Sequence, residues 1–378
     1  MTTRAIRWPA ELRCAAELAA LAQNDREPRP EGWRLSPRAV RTFVLGSDGA
    51  TLPLEVDGQV SEVGITRKFV GHDHLVERSI VTLASDRALM LIGEPGTAKS
   101  WLSEHLAAAI SGDSLLIVQG SAALTEDQVR WAWNYAMLLT RGPVPEALVP
   151  APLYTGMREG RLVRFEELTR APPEVQDVLL QALSEKLMVV PELPGEQGVV
   201  YARPGFNLIA TANTRDRGVN EMSAALQRRF HFETVPPLSE LALELEVVRD
   251  QVRERTRGGP AADVLLHDDV LELLVTTFHE LRTGRTTDGL ELERTGAVLS
   301  TAEAVAVGQH AALHAAFFGS SRVEPVHVVQ QLVGTAARVD DGDRKVLARY
   351  FELAVKPRAL KELGAWKAYW AARAWLER

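Results

Sequence analysis

The stretch Ala88-Leu89-Met90-Leu91-Ile92-Gly93-Glu94-Pro95-Gly96-Thr97-Ala98-Lys99-Ser100 decides the fold. Five apolar residues read as a short buried strand, and the glycines and proline behind them read as a turn. Leu102, Leu106 and Ile110 then recur at fourfold spacing, as in a helix that lays one face on a sheet. A strand, a glycine turn and a helix in that order make a phosphate cradle, because the turn's N–H groups face inward and the helix presents its positive end. Gly93, Glu94, Pro95, Gly96, Thr97 and Ala98 form the cradle, Lys99 reaches the outer phosphates of a nucleotide, and the Ser100 hydroxyl faces a magnesium ion. Ala98 stands where the strict pattern has its second glycine. A methyl group is cheap there only if the local backbone is right-handed.

Composition narrows the possibilities around this loop. The chain has 378 residues, of which 46% are apolar, enough for two or three globular domains. Cys14 is the single cysteine, which excludes an internal disulfide and a cysteine-based zinc site and fits a reducing compartment. No apolar run is long enough to span a bilayer, and Pro9, Glu11 and Arg13 interrupt any signal core, so a cytoplasmic location is expected. A net charge of −7 argues against a general nucleic-acid binder.

Ahead of the loop, residues from Pro9 to Gln23 read as a helix, and Ser36-Pro37 opens a second that stops near Gly46. Thr51 to Ile65 alternates around Asp57-Gly58, a hairpin signal. This leading stretch carries no chemical motif and reads as a brace or docking surface. Phe69-Val70-Gly71-His72 precedes a helix through Leu75, Ile80 and Leu83; His72 and His74 lack a third metal ligand nearby and read as solvated helix residues. Behind the loop, Leu115 to Val118 reads as a buried strand, Glu126 to Leu139 as a helix carrying Trp131, Trp133 and Tyr135, and Arg141 to Pro152 as a loop.

The next motif is Arg161-Leu162-Val163-Arg164-Phe165-Glu166-Glu167-Leu168-Thr169-Arg170-Ala171-Pro172-Pro173. Two adjacent acids at a strand end need a cation or a hydrogen-bonded role, and a nucleotide's magnesium and its attacking water supply both. Leu187 to Val190 and Val199 to Tyr201 flank a turn and read as a hairpin. The strand Phe206 to Ala210 runs into Thr211-Ala212-Asn213, which puts an amide where the crevice of a parallel sheet opens. Arg228-Arg229-Phe230 follows a short helical segment. After Pro236-Pro237 the pattern is helical throughout, with a capping box at Ser300 and Glu303 and a tryptophan-rich tail holding Trp366, Tyr369, Trp370 and Trp375 that reads as packing on those helices, the alternative being an exposed anchor for a partner.

These motifs, in this order, resemble the MoxR-type members of the AAA+ ATPases, whose loop also reads Gly-x-Pro-Gly-Thr-Ala-Lys-Ser. The resemblance implies an α/β fold, a P-loop αβα nucleotide-binding domain with a parallel central sheet, followed by an all-α lid. The boundaries are an N-terminal extension over 1–60, the nucleotide-binding domain over 61–236, the lid over 237–338 and the helical tail over 339–378. It further implies that Val70 and Gly71 line the base pocket, that Glu166 and Ser100 serve magnesium, that Glu167 is the catalytic base and that Asn213 senses the γ-phosphate. Arg229, helped by Arg228, is the implied finger toward a neighbouring subunit's ATP, and Arg294 the candidate lid arginine, outside the family's Ser-Pro-Arg context. The sequence departs from the family pattern at Arg164, which breaks an apolar run, and at Glu166, which replaces an aspartate. The function so implied is ATP-driven remodelling by a homo-oligomeric, hexameric ring acting on a protein partner such as one with a von Willebrand A-type domain. A nucleotide-gated scaffold with weak hydrolysis and a nucleic-acid motor or McrB-like GTPase are the alternatives.

Overall fold

The computed structural model describes residues 7–214, 220–293, 299–319, 321–335, 341–361 and 364–377. The chain divides into two compact units, Met1–Glu94 with Ala98–Val235 and Pro95–Thr97 with Pro236–Arg378.

The first unit opens with α1 (Ala10–Arg13), α2 (Ala15–Asn24) and α3 (Pro37–Leu45), then the hairpin of β1 (Thr51–Val56) and β2 (Gln59–Gly64) and the helix α4 (Asp73–Leu83). The expected first helix is broken at Cys14 into α1 and α2. Ser36 caps α3 by accepting from the Ala39 N–H, and Pro37 takes the first helical position, where its missing N–H costs nothing. Asp57 and Gly58 both have positive φ, 51° and 77°, the turn geometry whose twist matches the two strands it joins.

The sheet follows. Its elements are β3 (Ala88–Gly93), α5 (Lys99–Ser111), β4 (Ile117–Gln119), β5 (Trp131–Trp133), α6 (Tyr135–Arg141), β6 (Leu148–Pro150), α7 (Pro152–Glu159) and β7 (Leu162–Glu166), then α8 (Pro173–Ser184), β8 (Leu187–Val189), β9 (Val199–Tyr201), β10 (Asn207–Asn213), α9 (Ala224–Gln227) and β11 (Phe230–Thr234). Five strands pair in parallel in the order β11-β3-β10-β7-β4, so β10 lies between the strand of the glycine loop and the strand of the acids. Parallel strands covered on both faces are apolar throughout, as β3 is. Leu89, Leu91, Leu162 and Ile209 pack toward α3, α4 and α5, while Met90, Val163, Phe165 and Leu208 pack toward α7 and α8. This is the expected α/β fold with a parallel central sheet.

Three local expectations fail. Residues 126–139 are not one helix: a 3-10 turn at Glu126–Gln128 leads into β5, and only α6 is helical. Trp131-Ala132-Trp133 pairs antiparallel with Leu148-Val149-Pro150, so the expected loop of 141–152 supplies a strand. Aromatic residues favour such a half-buried pleat, and here that preference wins over helical periodicity. The strand expected over 115–118 runs instead over Ile117–Gln119 at the sheet edge, with Leu115 63% and Ile117 42% exposed.

The second unit is helical: α10 (Leu241–Thr256), α11 (Asp268–Thr283), α12 (Thr301–Phe318), α13 (Pro325–Thr335), α14 (Asp341–Tyr350), α15 (Lys356–Lys361) and α16 (Ala365–Ala371), with a π turn at Phe351–Val355. The capping box at Ser300 and Glu303 opens α12 as expected. One core holds Val248, Leu274, Phe278, Val307 and Leu332 together with Tyr350, Phe351, Tyr369 and Leu376 of the tail. Two buried carboxylates tie the helices together. Glu244 accepts from Arg282 at 2.8 and 2.6 Å and from Thr301 at 2.7 Å, with His279 Nδ1 2.9 Å away. Glu280 accepts from Arg358 at 3.0 and 2.6 Å, from the Tyr350 hydroxyl at 2.8 Å and from the Thr287 N–H at 2.7 Å. No helix among the described residues is long and apolar enough to cross a membrane.

Candidate nucleotide site

Strand β3 delivers the chain to Gly93 and α5 leaves from Lys99, so the glycine loop joins a strand to a helix as its pattern requires. Within it Gly96 has φ 78°, a value a side chain adopts only with strain. Lys99 is 6% exposed and donates to the carbonyls of Gly93 at 3.0 Å and Glu94 at 2.7 Å. Ala98 does not meet the condition under which its methyl group is cheap: it sits at φ 65°, ψ 22°, in the left-handed region. The loop keeps the geometry the missing glycine would have given, and alanine bears the strain.

The two acids part company where β7 ends. Glu166 is still in the strand, and alternation puts it on the same face as Leu162 and Arg164, toward α5. Its carboxylate, 4% exposed, receives four donors. Ser100 Oγ and Thr211 Oγ1 bond Oε2 at 2.6 and 2.8 Å; Ser103 Oγ and Arg164 Nη2 bond Oε1 at 2.7 and 2.8 Å. Ser100 is thereby bound to the acid with which the sequence grouped it. Glu167 leaves the strand at φ 55°, donates its N–H to Thr211 Oγ1 at 3.0 Å and holds Arg170 through its carboxylate at 2.7 Å. Gly120 is obligatory beside them, because a Cβ there would lie 2.1 Å from the Glu167 carbonyl oxygen.

Asn213 ends β10 directly opposite Gly93, and the next N–H, of Thr214, bonds the Gly93 carbonyl at 3.1 Å. The loop, both acids and the amide thus meet at the carboxyl edge of the sheet, where parallel α/β sheets open their crevice. Arg229 does not join them. Its carbonyl accepts from the Ala88 N–H at the opposite end of β3, and its Nε donates to Ser184 Oγ at 2.8 Å. Five strand residues, roughly 17 Å at 3.3 Å each, separate that end from Gly93. Arg228 is exposed beside it. Val70 and Gly71, half-buried, lie in the turn before α4, with Gly71 at φ 74°. His72 belongs to that turn rather than to the helix and its Nε2 is buried, while His74 is exposed beside Glu77; among the described residues no group of three potential ligands could hold a metal. Arg294 lies outside the described residues.

The leading helices brace this site. Helix α5 is buried on nearly every side, not on one face, because α1 and α3 cover what the sheet does not. Arg7 and Arg13 bond the Glu104 carboxylate at 2.5 and 2.9 Å, and Arg13 stacks on Trp101, 4.5 Å from the ring centre. Burial pushes the Glu104 carboxyl up, but the two guanidinium charges outweigh it and hold the group below its usual range. Trp101 Nε1 donates to the Lys68 carbonyl at 2.8 Å, and Lys68 pairs with Glu17 of α2 at 2.5 Å. Burial also lowers the neighbouring His105 to about 4, against the hydrogen bond it makes to the Trp101 carbonyl. Sequence reasoning singled out none of Ser103, Thr211 or Trp101. Helical spacing from Ser100 points to Ser103, and strand alternation pairs Arg164 with Glu166; nothing local signals Thr211.

A family model described as an AAA domain of the dynein-related subfamily matches residues 88–230, and one described as the YehL-like AAA+ ATPase C-terminal domain matches 242–377. The YehL protein of Escherichia coli strain K12 is 50% identical over 367 residues, 97% of this chain and 96% of its own. Protein SH1500 of Staphylococcus haemolyticus is 24% identical over 58% of this chain and 78% of its own. Among solved structures, the RuvB Holliday junction branch migration motor of Thermotoga maritima aligns with 79% of this chain and 87% of its own at 14% identity and a TM-score of 0.43.

Proposed function

Because the chain belongs to the YehL-like family of AAA+ ATPases, we propose that it binds ATP at the carboxyl edge of its parallel sheet and hydrolyses it in a ring of identical subunits. The observation that carries this reading is the bond from Ser100 Oγ to Glu166 Oε2 at 2.6 Å, which joins the first turn of the loop helix to the end of the acid strand. That hydroxyl and carboxylate are the all-oxygen donor set magnesium prefers, so Ser100 and Glu166 would hold the ion, Glu166 through water. When bound, magnesium would neutralise charge on the phosphates.

The chain's own residues do the rest. Lys99 exchanges its carbonyl partners for the outer phosphates, and the N–H groups of the loop, all but Pro95 having one, wrap them. Val70 and Gly71 line the base. Glu167 turns from Arg170 to take a proton from the attacking water, and Asn213 orients that water from the facing strand. Arg229 lies at the far end of β3 from its own loop, so in this reading it would serve a neighbour's nucleotide, with Arg228 beside it, in a homo-oligomeric ring of six in which a lone subunit is a poor catalyst. Turnover in such a ring would remodel a protein partner, and a von Willebrand A-type protein is the first to seek.

Steady-state phosphate release by the assembled protein tests the reading. Lys99→Ala and Glu167→Gln should each lower it by about a hundredfold or more. Release that survives both substitutions would overturn the assignment. Saturable ATP binding with no release in the wild type would leave the nucleotide-gated scaffold, a reading that the full occupancy of the Glu166 carboxylate favours.

A further inference from the structure

The face of β7 beneath the nucleotide loop carries a buried cation. Arg164 is 7% exposed, and three of its four side-chain bonds run to groups in the floor of the site. Nη2 donates to Glu166 Oε1 at 2.8 Å and to the Ser100 carbonyl at 3.1 Å; Nε donates to Ser103 Oγ at 3.0 Å and Nη1 to the Ser114 carbonyl at 3.0 Å. A guanidinium keeps its charge at every working pH, and four bonds in a planar fork fix it in place. It therefore neutralises the Glu166 carboxylate whether or not nucleotide is present. It also sets a positive charge beneath Ser100 in the first turn of α5, where the helix already favours anions.

We infer that Arg164 is a positioning residue that sets how strongly nucleotide binding depends on a divalent cation: its fixed charge takes the carboxylate partnership that the metal would otherwise have alone. This rests on the nucleotide-site reading above. Two cations sharing one carboxylate repel each other at short range, so magnesium gains less at this site than at a free acid. The phosphates meanwhile gain from the resident charge with no metal present. The extra methylene of Glu166 serves the same arrangement, reaching Ser100 and Thr211 with one oxygen while Arg164 and Ser103 hold the other.

The test is the ratio of dissociation constants for ADP and for a non-hydrolysable ATP analogue, measured by calorimetry with EDTA and with excess magnesium. The wild type should show a ratio below about fivefold. Arg164→Met should raise it by at least about tenfold, the change produced by ~1.4 kcal/mol of removed competition, and Arg164→Lys should restore the wild-type value. A purely structural residue would weaken binding equally in both conditions, and that result overturns the inference. So does a wild-type ratio of about a hundredfold or more, which decides the matter even if Arg164→Met does not fold. Wild type that binds neither nucleotide in either condition would instead overturn the nucleotide-site reading itself, and the inference with it.

Discussion

Ala98 holds a methyl group at φ 65°, ψ 22°, a conformation that costs an L-residue roughly 1–2 kcal/mol and glycine almost nothing. The residue is exposed, so substitution changes backbone strain and little else. Ala98→Gly should raise stability by about 0.5–1 kcal/mol, read as a higher urea midpoint at unchanged slope, because relief of strain exceeds the added chain entropy. A lower midpoint would show that the left-handed turn is not the resting conformation. The sequence shows that a residue other than glycine occupies this position. It cannot show that the turn keeps its hand regardless, since that is a property of the folded loop, in which Lys99 reaches back to the carbonyls of Gly93 and Glu94. The acids have the same character: their place at the end of β7 is legible, but the four donors on Glu166 come from three separate elements and become neighbours only on folding.

The helices of the C-terminal unit are held by charge as well as by apolar packing. Glu280 is fully buried, with the side chain of Arg358 nearly so, and bonds from Arg358 and Tyr350 join α11 to α14 and α15. Glu280→Ala strands a buried guanidinium and should cost about 3–5 kcal/mol of unfolding free energy. Glu280→Leu combined with Arg358→Met, which removes both charges, should recover most of that loss. Recovery of less than about 1 kcal/mol would mean that the Tyr350 and Thr287 bonds, not the ion pair, carry the contact. Elements of this kind were legible where a local code exists: the Ser36-Pro37 start of α3, the Asp57-Gly58 turn and the Ser300–Glu303 box all form as read. Trp131 to Trp133 failed because its partner, Leu148 to Pro150, is distant in sequence and itself looks like a loop. The burial of α5 on all sides was hidden for a related reason: its covering helices α1 and α3 carry no motif that names their target.

Across the whole molecule, the two units carry different acid sensitivities, and their order follows from the groups each buries. In the first unit His105 is held at about 4 against an ordinary value of 6.5, so the unfolded chain binds its proton first. Stability there is full above about pH 6.5 and falls as pH drops toward 4, by an amount on the order of 3 kcal/mol. In the second unit burial opposes ionisation of Glu244, yet His279, Arg282 and Thr301 hold it at about 2. Its contribution is complete above about 4.5 and is lost as pH falls toward 2; Glu280, also lowered, by Arg358 against its own burial, acts in the same direction. Hydrogen exchange followed by mass spectrometry on peptides from each unit, stepped from pH 7 to 2.5 and corrected for intrinsic rates, should show α5 losing protection first and α11 later. His105→Phe should remove the early loss while leaving the late one, and Glu244→Gln should flatten the late one alone. Loss of protection in both units together near pH 5 would mean that they unfold as a single cooperative body, and the separate titrations would then be invisible.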